Sequence, residues 1–178
     1  MLGSTLITDS DVREKINLTH VNNLDEYNKV FINLAARVEQ EQIKLVIIDN
    51  MHSVCDNFIK PDGSVDYIER SSFMLRHVKQ LKRLSHDFNL VVVVLNNVVA
   101  DVNQDGNKGF FANSSRGQSS VPSLGLQWSN CINERIALKK KGTTNIEIRR
   151  QMVIEKSSYM RKSEVDFEIL APGLRGKH

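Results

Sequence analysis

The heptapeptide KLVIIDN, Lys44 to Asn50, decides the fold of this chain. Its four consecutive apolar residues, Leu45 to Ile48, lead directly into Asp49. A short run rich in β-branched side chains predicts a strand that is buried on both faces, as in a parallel sheet. Open α/β sheets bind ligands at the carboxyl ends of such strands, and an aspartate there can hold Mg²⁺ through water. The alternative is a core strand whose Asp49 caps the following loop.

Upstream of this strand, the sequence pattern predicts one short strand and one helix. Residues 16–21, INLTHV, alternate between apolar and polar side chains, which indicates a strand. The Asn22-Asn23 pair then offers a helix N-cap, and acidic residues follow it. Apolar residues at steps of three and four carry this helix to about Gln42.

Downstream, the predicted loop from Asn50 to Val65 leads into a long helix. Asp66 and Glu69 form a capping-box pattern, and helical periodicity continues to about Phe88. The predicted buried side of this helix consists of five apolar residues: Ile68, Leu75, Val78, Leu81 and Leu84. Two histidines on the same helix are interpreted as surface or interface residues: His77 and His86.

A second buried strand is predicted at Leu90 to Leu95, LVVVVL, and Asn96 and Asn97 follow it. A strand, a helix and a strand of these lengths form a βαβ unit, in which the two strands are parallel neighbours. The carboxyl ends of parallel neighbours meet at one edge of the sheet. We therefore expect Asp49 and Asn97 at the same end of the sheet.

Composition and length indicate a folded globular chain. It has 178 residues, of which 40% are hydrophobic and 25% charged, unlike disordered sequences. No apolar run reaches the roughly 18 residues that a membrane span needs. The N-terminus lacks the pattern of a secretory signal, and Cys55 and Cys131 have no metal-site spacing. These features favour reduced thiols in a cytosolic or nuclear protein.

The charge is unevenly distributed along the chain. The net charge is +3, but residues 134–162 contain nine bases and three acids, so this stretch carries +6 and the remainder −3. A basic C-terminal third suits a polyanionic partner such as nucleic acid. The alternative is a solvated surface of strands and turns that happens to be basic.

Residues 101–121 form a long stretch without periodicity that is rich in Asn, Gly and Ser. Stretches of this length inside a compact domain are usually functional or disordered. This one contains Lys108, Phe110, Phe111 and Arg116. Bases interleaved with aromatic rings suit single-stranded nucleic acid, because rings stack on bases and cations meet phosphates. A disordered linker is the alternative.

The C-terminal third predicts an antiparallel meander. Three alternating stretches are interpreted as its strands: Ile132 to Leu138, Arg149 to Lys156 and Val165 to Leu170. Turns are expected at Gly142-Thr143 and near Lys162. Parallel elements therefore come first and antiparallel strands last, which predicts an α/β fold with a mixed sheet. Trp128, which precedes the meander, is interpreted as a structural anchor.

Four stretches together resemble the RecA-family recombinases of eukaryotes. They are KLVIIDN (44–50), LKRLSHDFNLVVVVLNNVVADV (81–102), PSLGLQWSNCINERIALKK (122–140) and RQMVIEKSSYMRKSEVDFEILAPGLRG (150–176). Their order and spacing are most similar to the non-filament paralogues of those recombinases, in the X-ray-repair cross-complementing and yeast radiation-sensitivity branch. The resemblance implies a RecA-like P-loop ATPase core, here partial, with parallel strands and flanking helices before the meander.

The resemblance implies roles for individual positions. Asp49 would end the Walker B strand and serve Mg²⁺ and ATP. Asn97 stands where the recombinases carry a Gln that senses the γ-phosphate, and a shorter Asn would alter that relay. Residues 101–121 resemble the second DNA-binding loop and 56–64 the first, where Lys60 is the only base. Loss of the other cations argues for weak phosphate contact at that first loop.

The family's phosphate-binding motif, G-x-x-x-x-G-K-[ST], is absent from this sequence. That motif supplies the backbone cradle and the lysine for the nucleotide phosphates. Residues 1–178 are therefore interpreted as a single RecA-like ATPase core domain, N-terminally truncated and without its P-loop portion. Independent ATP hydrolysis is not expected. Loss of the P-loop strand would expose an edge of Leu90 to Leu95, so the chain alone should be poorly soluble or need another subunit.

The resemblance implies a nuclear protein of DNA repair by homologous recombination. Such a recombinase-paralogue subunit would bind single-stranded DNA and assist recombinase filament assembly, with other recombinase paralogues or the recombinase itself as partners. DNA contact is expected from the loop 101–121 and from the basic meander. Two alternatives stay open: a DNA-dependent ATPase that is complete only with an upstream Walker A segment, and a docking subunit without a ligand of its own.

Overall fold

The computed structural model describes residues 9–100, 120–144, 147–171 and 173–177. The chain divides into two compact units, Met1–Arg70 with Gln80–Val98, and Ser71–Lys79 with Val99–His178. Each unit is described in turn. No helix in the described ranges combines the length and apolar character needed to cross a bilayer. The interpretation of residues 1–178 as a single RecA-like domain stays a prediction.

The first unit contains three helices and the two ends of a fourth. They are α1 (Asp9–Lys15), α2 (Leu24–Gln40), α3 (Met51–Cys55) and α4 (Tyr67–Asp87). Helix α3 and the turn of 3-10 helix that follows it, Asp56–Phe58, both lie where the sequence predicted only loop. Tyr27, Phe31 and Val38 on α2 are buried, as are Met51 and Cys55 on α3. These side chains form the apolar interior of the unit.

The two long helices begin at their predicted caps. Asn23 Oδ1 accepts a hydrogen bond from the Glu26 amide at 2.9 Å, and Asp66 Oδ1 accepts one from the Glu69 amide at 3.1 Å. Each cap satisfies one of the backbone donors that the first turn of a helix leaves without an intrahelical partner.

Residues 16–21 form no strand, contrary to the expectation from their alternation. Ile16 and Leu18, the side chains that would have formed the apolar face, are exposed. Alternation stabilises a strand only when a neighbouring strand pairs with it and one face is buried.

Strands β1 (Leu45–Ile48) and β2 (Val91–Val94) form a parallel pair, which confirms the predicted arrangement. The register joins Leu45 to Val91 and Ile48 to Val94 without a shift. The pair is connected through α3 and α4, so β1, the helices and β2 form the expected β-helix-β order. Both strands therefore end at the same edge of their sheet.

The prediction that both strands are buried on two faces is wrong for one face. Leu45 and Ile47 are 51% and 57% exposed, and their partners Val91 and Val93 are 60% and 42% exposed. The alternate residues of both strands are only partly exposed. The sheet therefore has one covered face and one apolar face that is open to solvent.

The buried side of α4 agrees only in part with the prediction, because Leu81 and Leu84 are buried as expected and other members differ. Its buried residues are Phe73, Met74, His77, Leu81 and Leu84. Ile68, which was assigned to the buried side, is 82% exposed, and Leu75 is also exposed. The interpretation of His77 as a surface or interface residue is therefore wrong.

The second unit is built on a four-stranded antiparallel sheet. Its strands, in spatial and chain order, are β5 (Arg135–Thr144), β6 (Glu147–Lys156), β7 (Glu164–Leu170) and β8 (Gly173–Gly176). The meander was predicted with three strands, and β8 was missed. β5 also continues to Thr144, past the turn expected at Gly142-Thr143. Two short strands, β3 (Val98–Ala100) and β4 (Ser120–Pro122), form a separate pair.

Helix α5 (Gly125–Cys131) precedes the antiparallel sheet in the sequence. Two side chains of the sheet hydrogen bond to this helix. The Arg135 guanidinium donates a hydrogen bond to Ser129 Oγ, and Lys156 Nζ donates one to the Ser129 carbonyl at 2.7 Å. Trp128 in the same helix is buried, in agreement with its interpretation as an anchor.

The architecture agrees with the predicted α/β class, in which a parallel β-helix-β part precedes an antiparallel C-terminal part. The predicted mixed sheet is not formed by the described residues. Within those ranges, β1 and β2 form one sheet and β5 to β8 form another. The arrangement corresponds to a partial RecA-like core.

Candidate functional site

The carboxyl ends of β1 and β2 are joined by backbone hydrogen bonds. The Leu95 amide donates to the Ile48 carbonyl at 2.9 Å, and the Met51 amide donates to the Leu95 carbonyl at 3.2 Å. Asp49 lies between these contacts, and Asn97 lies two residues beyond Leu95. Both side chains are exposed at the same end of the sheet, as predicted. In α/β sheets this end is the usual position of a ligand.

Asn50, and not Asp49, caps the helix that follows β1. Asn50 Oδ1 accepts hydrogen bonds from the Ser53 amide at 2.9 Å and from Ser53 Oγ at 3.1 Å. The alternative role for Asp49, capping of the following segment, is therefore carried out by its neighbour. The Asp49 carboxylate is exposed and can face a ligand at the strand end.

The described residues do not complete a site for ATP and Mg²⁺. Asp49 offers one carboxylate, and no group of three or more potential metal ligands exists within the described ranges. Mg²⁺ accepts such a site when bound phosphates and water supply its other oxygen ligands. The phosphate-binding motif that would hold those phosphates is absent from this sequence. The assignments of Asp49 and Asn97 as catalytic residues stay predictions.

In the first unit, the buried side chains of Tyr27 and Cys55 lie close to one another, and the partly buried Arg70 lies close to Cys55. The Arg70 side chain hydrogen bonds to the Cys55 thiol, yet burial is the larger influence and raises the pKa of that thiol. Burial also raises the pKa of the Tyr27 hydroxyl, and proximity to Cys55 adds to this shift. Cys55 is therefore a protonated, buried thiol. Such a thiol is a poor nucleophile, because thiolates are the reactive form.

The predicted DNA-binding residues are only partly described. Lys108, Phe110, Phe111 and Arg116 lie outside the described residues. Lys60 lies in a tight turn, where its amide donates to the Ser64 carbonyl at 2.8 Å. Its ammonium group lies 3.8 Å from an Asp66 carboxylate oxygen. This acid offsets the Lys60 charge, in line with weak phosphate contact at this segment.

The β5–β6 hairpin brings together bases that sequence reasoning treated only as a basic stretch. Lys140 is the register partner of Arg150, and Lys141 is the register partner of Arg149. Lys139 is different, because its ammonium group forms a 2.8 Å ion pair with Glu155. The signal was present in the sequence, because a Lys run and an Arg pair lie near the facing ends of two consecutive stretches predicted to pair as antiparallel strands.

A cleft of about 210 Å³ lies beside this hairpin in the second unit. Its lining includes Arg149, Arg150 and Lys177 together with the acids Asp166 and Glu168. Asp166 Oδ1 accepts a hydrogen bond at 3.2 Å from the side-chain amide of the buried Gln151. Asp166 therefore has a structural role in the sheet. The cleft is therefore lined by both basic and acidic side chains.

Comparison with known proteins gives one family match and several named relatives. The family model described as Rad51 matches residues 5–177. The DNA repair protein XRCC3 homolog of Arabidopsis thaliana is 32% identical over 104 residues, which cover 55% of this chain and 34% of that protein. The human DNA repair protein RAD51 homolog 2 is 28% identical over 163 residues, which cover 85% of this chain and 40% of that protein.

The DNA repair protein Rad51 homolog of Drosophila melanogaster is 26% identical over 175 residues, or 94% of this chain and 46% of that protein. The chain thus spans less than half the length of these curated relatives. The family model covers nearly all of the chain. The predicted resemblance to eukaryotic recombinases and their paralogues is confirmed, and the chain belongs to the Rad51 family.

Proposed function

We propose that this chain acts in DNA repair by homologous recombination, as a subunit of the recombinase-paralogue type. In this role it binds single-stranded DNA and assists assembly of recombinase filaments in the nucleus. The observation that carries the proposal is the Rad51 family match over residues 5–177, together with relatives named as DNA repair proteins. The parallel pairing of β1 with β2 supports it, because Asp49 and Asn97 both follow the carboxyl ends of these strands.

The proposed partners are other recombinase paralogues or the recombinase itself. The open apolar face of β1 and β2 supports association, since exposed apolar patches commonly mark surfaces that another protein segment covers. A complete nucleotide site is not proposed for these residues alone. Asp49 would serve Mg²⁺ and ATP only where a phosphate cradle is supplied by another segment or subunit.

DNA contact is proposed for the loop 101–121, through Lys108, Phe110, Phe111 and Arg116. Aromatic stacking on bases contributes about 1–3 kcal/mol per base, so loss of both rings should weaken binding at least tenfold. The test is a fluorescence-anisotropy titration of a labelled oligo-dT at low salt, with the full chain and a Phe110→Ala/Phe111→Ala variant.

A Tyr67→Ala variant is the matched control, because Tyr67 is an exposed aromatic residue outside the loop. Its affinity should equal that of the unsubstituted chain. Equal affinity of the Phe110→Ala/Phe111→Ala variant would remove the loop from the proposal. Absence of oligo-dT binding by the unsubstituted chain, with and without a recombinase partner, would overturn the DNA-binding function itself.

A further inference from the structure

We propose that the apolar face of the antiparallel sheet β5–β8 docks an amphipathic helix of a partner protein, with acidic residues beside the apolar side of that helix. The inference rests on the proposed function as a subunit. It deepens that function, because it gives the chemistry of the surface that the partner presents. The face lies in the second unit and belongs to a different sheet from the parallel pair β1–β2.

The first observation is an apolar face that is open to solvent. The register of the sheet places apolar residues from all four strands on the same face. Five of them are exposed by 49% to 68%: Ile136, Leu138, Val165, Ile169 and Leu174. Antiparallel sheets usually bury their apolar face and expose the polar one. A contiguous apolar face that is exposed marks a surface for another protein segment.

The second observation is that the polar face of the same sheet has the internal contacts. Gln151 is buried on that face, and its side-chain amide donates to Asp166. Lys139 and Glu155 lie on the same face and form an ion pair at 2.8 Å. The usual arrangement is therefore reversed, because the buried residue lies on the polar face while the apolar residues are exposed.

The third observation is the charge at one end of the apolar face, which selects the class of partner. Lys140 and Arg150 are register partners on this face. The neighbouring register positions of the face, Leu138, Met152 and Phe167, have no acid. A segment that covers the apolar residues would also remove water from the two bases, which is costly unless acids pair with them. A second copy of the same face supplies no acid at these positions.

The dimensions of the face suit a single helix. Neighbouring strands lie about 4.8 Å apart, so the four strands are about 14 Å wide, and a helix with its side chains is about 10–12 Å across. From Ile136 to Lys140 the strand advances about 13 Å, or between about two and three helical turns. A short apolar stripe with acids at one end therefore matches the face. A nucleic acid backbone would pair with the bases but would leave the apolar side chains uncovered.

The test uses the full chain and two labelled helical peptides. Both peptides have leucines on one side, and the remaining positions are glutamates in one peptide and lysines in the other. Fluorescence anisotropy should show at least tenfold tighter binding of the glutamate peptide. Leu138→Asn/Ile169→Asn should weaken this binding at least tenfold, because burial of an aliphatic side chain contributes about tenfold or more to affinity. Leu18→Asn/Leu126→Asn, at exposed positions outside the sheet, is the matched control and should bind normally.

Reversal of charge tests the choice of partner directly. Lys140→Glu/Arg150→Glu should bind the lysine peptide more tightly than the glutamate peptide, because the sign of the charge on the face is inverted. Lys79→Glu/Lys82→Glu makes the same change of net charge at exposed positions of α4 and should keep the preference for the glutamate peptide. Thermal melts establish that each variant is folded. If the reversal variant does not fold, Lys140→Gln/Arg150→Gln replaces it, and the preference should be lost.

Four outcomes would overturn the inference. The first is equal affinity of the unsubstituted chain for the two peptides, and the second is an unchanged preference in the folded charge variant. Displacement of the glutamate peptide by oligo-dT would assign the face to nucleic acid. Dimers of the unsubstituted chain that Leu138→Asn/Ile169→Asn converts to monomers would assign it to a second copy. If neither peptide binds while oligo-dT does, the proposed function survives and the docking surface is removed.

Discussion

Asp49 and Asn50 show how neighbouring residues divide two tasks at the end of β1. Asn50 caps α3 through its side-chain oxygen, so the Asp49 carboxylate is left exposed at the sheet edge. The position of Asp49 was predictable, because an acid directly after an apolar run depends only on local order. Which of two adjacent polar residues becomes the cap depends on the backbone at the start of α3, and the sequence did not distinguish them.

The cap at Asp66 gives a prediction for a single residue. Asp66→Ala should lower the free energy of unfolding by about 0.5–2 kcal/mol, because the Glu69 amide loses its acceptor. Asp66→Asn should lower it much less, since asparagine is an equally good N-cap. Urea denaturation of the three proteins measures this. Equal losses for the two variants would show that the negative charge, and not the cap, is the stabilising feature.

His77 gives a prediction about pH. Burial lowers the pKa of its ring below the ordinary 6.5, the Phe73 carbonyl at 2.8 Å opposes the shift, and Arg76 adds to it. The folded chain therefore takes up this proton less readily than the unfolded chain. Above about pH 6.5, His77 is neutral in both states and its contribution to the free energy of unfolding is constant. As the pH drops from 6.5 through the lower folded pKa, the unfolded chain is protonated first, and the folded chain loses stability.

The measurement is urea denaturation between pH 8 and pH 5. His77→Gln should flatten part of the decline in stability, because glutamine does not titrate. His86→Gln is the matched control, since His86 is on the same helix and is exposed. If His77→Gln and the unsubstituted chain decline in parallel over this range, His77 is not responsible for the decline.

At the scale of elements, α4 shows what helical periodicity leaves open. The boundaries of this helix were predicted within about one residue, because a capping box and a continuous pattern fix them locally. Its buried stripe was partly misassigned, since Ile68 and Leu75 are exposed and Phe73 and Met74 are buried. Two stripes on one helix satisfy the same spacing, and the choice between them depends on what packs against the helix.

Leu81 and Leu75 allow a direct test of that stripe. Leu81→Ala should lower the free energy of unfolding by about 2–5 kcal/mol, because it leaves a cavity in the buried side of α4. Leu75→Ala removes the same atoms from an exposed position and should cost much less. Thermal or urea unfolding of both variants measures the difference. Similar losses of unfolding free energy for Leu81→Ala and Leu75→Ala would support the predicted buried side, which included Leu75.

The parallel pair shows a different limit of sequence reasoning. The strands, their adjacency and their direction were predictable from two apolar runs separated by a long helix. Burial of the strands on both faces was not predictable. An apolar run shows that its side chains favour burial, but it does not show whether a helix packs on each face of the sheet. Strand β8 was missed because its four residues contain two glycines and no alternation.

At the scale of the whole molecule, the open face of the parallel pair predicts self-association. Leu45, Ile47, Val91 and Val93 form one apolar surface that is exposed to solvent. Ile47→Lys/Val93→Lys should reduce association of the isolated chain, because charged side chains oppose burial of this surface. Sedimentation velocity over a tenfold concentration range measures the shift towards monomer.

Leu18→Lys is the matched control, because Leu18 is highly exposed but lies outside any strand. This variant should associate as the unsubstituted chain does. If the unsubstituted chain sediments as a single monomeric species at all concentrations, the prediction of poor solubility and the partner requirement both lose their support.

The order of parallel elements followed by antiparallel strands was predictable across the whole chain, and so was the kinship that it carries. The formation of separate parallel and antiparallel sheets was not predictable, because the order of strands along the chain does not determine which strands are adjacent in space. The predicted DNA contacts at Lys108, Phe110, Phe111 and Arg116 stay predictions, since they fall on a stretch without periodicity.

The connection between β1 and β2 has a consequence for the order in which the chain folds. Strands β5 and β6 are separated in the sequence by only two residues, whereas Leu45 and its partner Val91 are separated by a stretch that contains α3 and α4. Closing the longer loop costs more chain entropy, and contacts between distant residues form more slowly. In refolding of the complete chain from denaturant, the β5–β6 hairpin should therefore form early, and the sheet edge that carries Asp49 and Asn97 should form late.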